Sequence, residues 1–199
     1  MSIRKQVVRH VFNLRASRVL REHAPSLRGA MRRWRGLVIA PACMGVGLAM
    51  AATPPPATHK GMTWTLLDAQ GSFSHVGFDD HEHSNPLFGD TGPHVSLPVL
   101  CLRQDGRAAP SSIALDKYSG WAQGEIRLTG PVAGATLTSR TVADNLCSGK
   151  FGEGFRMAEF YDGGGGWTFW AEGSISDASR FWVANDSQPA NPWNVDRVE

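Results

Sequence analysis

Residues 151–193, FGEGFRMAEFYDGGGGWTFWAEGSISDASRFWVANDSQPANPW, hold ten of the chain's eighteen aromatic residues and, near the middle, four consecutive glycines. Aromatic side chains bury large areas, and glycine admits backbone turns that other residues resist. Such a stretch folds as short aromatic strands joined by tight loops, and it supplies both a core and a shaped surface. Trp167, Phe169 and Ala171 share one face of one strand, with Trp170 on the other, and Phe181, Trp182 and Val183 make a further one. The glycines are no phosphate cradle: Trp167 follows them where a P-loop requires Lys-Ser/Thr.

Upstream, Met62, Trp64 and Leu66 alternate with Thr63 and Thr65, the pattern of a strand buried mainly on one face. LPVLCLR, residues 97–103, is a continuous apolar run that predicts a fully buried strand carrying Cys101 into the core, and residues 121–129 predict another with Ile126 and Leu128 on one face. One helix is expected over 139–148. Thr138 or Ser139 can cap it, Val142, Ala143, Leu146 and Cys147 recur on one face, and Gly149 or Gly152 can end it. Short strands and a single helix that do not alternate predict an α+β fold with mainly antiparallel pairing.

Charge divides the chain. Residues 1–52 carry ten Lys/Arg against Glu22 alone, for +9, while the remainder has ten bases against seventeen acids, for −7. The net +2 averages two unlike segments. A nucleic-acid partner is excluded as an expectation, because it needs a basic face on the folded domain. From Met31, a plausible true start, the order is a cationic segment, an uncharged apolar run over 36–50 and small residues, the layout of a secretory signal. Cleavage after Ala51 or Ala52 suits it. The run is interrupted by Pro41 and is too short to span a bilayer. The expected organisation is therefore a basic extension with signal over 1–52, a Pro-rich linker over 53–61 and one globular domain over 62–199, secreted or periplasmic and without a membrane span once the signal is removed. The exported part keeps two cysteines, Cys101 and Cys147; the simplest reading is a disulfide, the alternative two buried thiols.

Residues 75–94, HVGFDDHEHSNPLFGDTGPH, are polar, punctuated by Pro and Gly, and read as a loop. Asp80, His81, His83 and Asp90 offer the imidazole and carboxylate ligands that a divalent metal ion such as zinc, copper or nickel takes, against the alternative of a solvated acidic loop. Farther on, Arg156 and Glu159 read as a charged pair, either mutual or directed at a ligand.

The order of capped helix, glycine turn and FRMAEF resembles the helix-to-strand passage of C-type-lectin-like domains. FWV at 181–183 is similar to the aromatic strand of that fold, and Gln188-Pro189 followed by Asn191 and Trp193 is similar to its calcium- and sugar-holding loop. The stretch also resembles a family of exported bacterial proteins sharing RMAEF, GGGGW and QPAN-PW. The expected binding surface is made by Asn185, Asp186, Gln188, Asn191 and Trp193, against the alternative that Trp193 is core and the Asn and Gln residues shape turns. Amide and carboxylate groups hydrogen-bond sugar hydroxyls, and a tryptophan face packs on a pyranose ring.

The leading expectation is an exported binding module for a glycan or an envelope protein. A metal-dependent enzyme with His81 and His83 as ligands and Glu82 or Asp80 as base is the second, since a bound metal generates hydroxide near neutral pH. A purely structural envelope protein is the third. No G-x-S-x-G elbow or other catalytic motif is present.

Overall fold

The computed structural model describes residues 52–79, 84–175 and 180–195. The segment expected to be the export signal lies outside them, and residues 50–199 form one compact unit.

Strands β1 (Thr63–Gln70) and β2 (Phe73–Gly77) form an antiparallel hairpin. β3 (Ser96–Leu97) is separated by Pro98 and Val99 from β4 (Leu100–Gln104), which pairs antiparallel with β5 (Ser119–Leu128). β6 (Val132–Ala133) pairs with β3 and leads through a 3-10 turn into helix α1 (Arg140–Phe151). β7 (Arg156–Met157), β8 (Thr168–Glu172) and β9 (Phe181–Trp182) come from the aromatic stretch. The main sheet runs β7-β4-β5-β8-β2-β1-β9, antiparallel except between β5 and β8. The α+β class with mostly antiparallel short strands is thus present as one curled mixed sheet and one helix.

The curl follows from the last strand. Trp64 and Phe181 pair across β1 and β9, while Trp182 also bridges Val99 and Ala184 bridges Glu159. Residues 181–184 therefore lie between the β1 edge and the β4–β7 edge. Their alternation sorts two cores: Phe181 and Val183 point into the curl with Trp64, Leu100, Leu102 and Phe169, whereas Trp182 and Ala184 face α1 with Val99, Cys101, Met157 and Cys147. A side-chain period of two on a sheet covered on both sides produces this split. Each large side chain buried here contributes about 1.5–3 kcal/mol.

The Ser139 hydroxyl accepts from the Val142 amide as N-cap, and Gly152, at φ 100°, ends α1. Ala143 and Cys147 turn inward, but Val142 is exposed, unlike the expectation, because the sheet meets only a narrow stripe of the helix. Cys147 reaches Cys101 in a disulfide with Cα atoms 5.6 Å apart, which ties helix to sheet. Closing a loop with a sequence separation of 46 contributes roughly 4 kcal/mol by chain entropy.

The aromatic stretch also forms a two-faced strand, but Trp167, expected on the face of Phe169 and Ala171, precedes it with a left-handed backbone and is exposed. Phe169 and Ala171 enter the curl, and Trp170 lies on the outer face with Trp121 and Ile113. The glycine turn packs so tightly that a Cβ on Gly120 would collide with the Gly163 carbonyl. The expected loop over 75–94 begins later than its polarity implied. His75, Val76 and Gly77 belong to β2, where His75 stacks on Trp170 at 4.7 Å and Val76 is buried.

Candidate functional site

The loop after β9 carries the residues singled out for binding, and its conformation is fixed from inside. The Asn185 amide N–H donates to Asn191 Oδ1 at 2.8 Å, and Asn191 Nδ2 donates to the Asn185 carbonyl at 2.8 Å. Asn185 Nδ2 donates to the Pro86 carbonyl at 2.8 Å, and its Oδ1 accepts from Ser187 N. Both side chains are buried, so these amides hold the loop's shape. Trp193 is partly buried against the helix-side core. Asp186 and Gln188 are exposed, each lining a different cleft.

Gln188 and Pro189 line a cleft of about 750 Å3 together with His59, Lys60, Phe88 and His94. Its construction is legible residue by residue. Gly61 exchanges hydrogen bonds with Thr91, and Asp90 N also donates to the Gly61 carbonyl, so the end of the Pro-rich segment is pinned to the 84–94 loop. Ala57 is likewise held, through the Ala135 carbonyl at 2.9 Å. The linker expected over 53–61 thus becomes part of a wall. Asn85 Oδ1 accepts from Leu87 N and Phe88 N, a turn that leaves Phe88 63% exposed at the rim.

Asp90, one of the four candidate metal ligands, is occupied beneath this cleft. Its carboxylate accepts from Thr63 N at 3.1 Å, Asn85 N at 2.9 Å and the Thr63 and Thr91 hydroxyls, and Arg180 approaches it at 3.5 Å. Arg180 also meets Asp79 at 3.1 Å and Ser84 at 3.1 Å. Asp80, His81 and His83 lie outside the described residues. Among the described residues there is no cluster of three or more His, Cys, Asp or Glu able to hold a metal ion.

Asp186 lines the second cleft, about 400 Å3, with Arg140, Arg156, Glu159, Tyr161 and Asp162. Here the charges answer one another. Arg140 pairs with Asp144 at 3.1 Å and Asp186 at 3.0 Å and donates to the Met157 carbonyl at 2.9 Å. Arg156 pairs with Asp162 and reaches Gln104 Oε1 at 3.0 Å, so of the two alternatives for Arg156 and Glu159 the mutual pair is not formed, and the partner lies three residues farther along. Glu159 instead accepts from Tyr161 N at 2.6 Å and Asp186 N at 3.3 Å. Burial pushes the Glu159 carboxyl up, against the opposing pull of those two amides.

Two contacts had no local signal in the sequence. His75 Nε2 and Ser119 Oγ are 2.9 Å apart across the sheet, and burial lowers the His75 imidazole while Asp68 and Asp116 oppose. Trp167 has a left-handed backbone at φ 63° and is 41% exposed beside Phe78 and Phe160. The first joins β2 to β5, which come together only in the folded chain. Comparison with protein-family models, curated proteins and solved structures found no match.

Proposed function

We propose that this chain is an exported binding module that takes a glycan or glycan-bearing envelope component in the cleft between Gln188, Phe88 and residues 58–60. The observation that carries this reading is convergence. Three separated segments are pinned together by buried polar hubs at Asp90 and Asn185–Asn191, leaving a concave, mixed polar and apolar surface of ligand size. Phe88 and Pro189 supply apolar faces for a sugar ring, and Gln188, Lys60 and His94 supply hydrogen-bonding groups for its substituents.

Export is supported by the leader-like layout before residue 53 and by the Cys101–Cys147 disulfide, a bond that persists in oxidising compartments. No helix among the described residues is long and apolar enough to cross a membrane. A glycan array together with a cell-wall pull-down tests the reading. The protein is expected to be retained and Gln188→Ala to lose retention. No retention on either, or equal retention of the variant, would overturn it.

A further inference from the structure

We infer that the ligand of the Gln188 cleft is an anionic saccharide, one bearing a carboxylate or phosphate group, with Lys60 and His94 as its contacts. This rests on the cleft reading above and adds the sign of the ligand's charge. The first observation is an inversion of sign. Residues 53–199 carry ten bases against seventeen acids, yet the described residues that line this cleft include Lys60, His59 and His94 and not one carboxylate. Asp90, two residues from both Phe88 and Gly92, is committed to its own hydrogen-bond hub.

The second observation is that Lys60 and His94 are unspent. Among the described residues the Lys60 ammonium and the His94 ring have no ion pair or side-chain hydrogen bond, whereas Arg140 and Arg156 in the neighbouring cleft are committed to carboxylates. An ammonium left unpaired at the mouth of a concave site inside an acidic domain favours an anion locally, and the walls of low dielectric focus that field. Phe88 and Pro189 beside it match the apolar face of a sugar ring rather than a free inorganic ion. A ring carrying a negative substituent satisfies both halves of the surface.

The test is isothermal titration of the full chain with three oligosaccharide probes of similar length: a hexuronate oligomer for the carboxylate source, a glycerol-phosphate oligomer carrying sugar for the phosphate source, and a neutral chito-oligosaccharide. Each is measured at about 25 mM and about 300 mM salt, where exposed charges are weakly and strongly screened. At least one anionic probe is expected to bind about tenfold tighter than the neutral one and to weaken severalfold at high salt. Lys60→Gln should weaken it about tenfold and His94→Gln less, while Lys150→Gln, the same charge change on α1, should leave it unaltered. Which anionic probe wins identifies the source. Equal, salt-independent binding of the neutral probe that is still weakened by Gln188→Ala would overturn the anionic inference and leave the cleft reading standing. No binding of any probe would overturn both.

Discussion

The two clefts on either side of the 185–191 loop differ in what their charges are doing. The smaller one is the more highly charged, with Arg140, Arg156, Glu159, Asp162 and Asp186, but its groups satisfy each other and the backbone of β7. The larger one holds few charges, and Lys60 and His94 are not paired among the described residues. Ionic groups that are already paired are committed to one another, because removing one partner would strand a partly desolvated charge. Groups left open stabilise nothing until a ligand arrives. Density of charge is therefore a poor guide to a binding surface, and the state of its hydrogen bonds a better one.

The contrast can be broken most forcefully at the disulfide. Replacing Cys101 and Cys147 by alanine should cost roughly 4 kcal/mol in denaturant unfolding. Because the bond anchors the helix bearing Arg140, hydrogen exchange should rise in α1 and β7 before it rises around residues 58–61. Next in size, Arg156→Ala strands Asp162, whose side chain is only 7% exposed, and should destabilise by about 2 kcal/mol. Lys60→Ala in the other cleft should change stability by less than about 0.5 kcal/mol, as surface substitutions do.

Within the shared loop, Asn191→Ala removes the acceptor for the buried Asn185 amide and should cost about 1–2 kcal/mol, with glycan retention falling in parallel. Gln188→Ala should leave the unfolding midpoint in place and lose retention alone. The smallest effect is pH dependence. The folded chain holds the His75 imidazole below its ordinary value of 6.5, so between the two values the unfolded chain binds a proton that the folded chain refuses. Stability therefore falls as pH drops below about 6.5, and His75→Gln should flatten that part of the profile in thermal unfolding. Since His75 touches neither cleft, this variant separates pH effects on the fold from pH effects on binding.

Local patterns foretold the strands at Met62–Trp64 and Phe169–Ala171, the Ser139 cap and the inward Cys147, because each depends on a residue and its near neighbours. The cysteine pair was legible from compartment and count. Contacts set by tertiary closure were not. Composition alone cannot say that Asp162 rather than Glu159 answers Arg156, that His75 lies in a strand, or that Asn191 is buried instead of offered to a ligand. The same limit applies to the cleft: the Pro-rich segment reads as a linker until the Gly61–Thr91 bridge folds it into a wall. Gln188 was found through its motif, but Lys60, Phe88 and His94 lie roughly a hundred residues away in sequence and meet it only through the curl of the sheet.

The most direct measurement is an NMR titration of isotopically labelled protein with the hexuronate and glycerol-phosphate oligomers, following the Gln188 side-chain amide, the Lys60 ammonium, the His94 ring and the Phe88 ring. Saturable shifts at those four groups, with Arg140 and Arg156 unmoved, are the expected result. Shifts confined to Arg140, Arg156 and Tyr161, or no saturable shift with either oligomer, would contradict the assignment of ligand binding to the cleft whose charges are unspent.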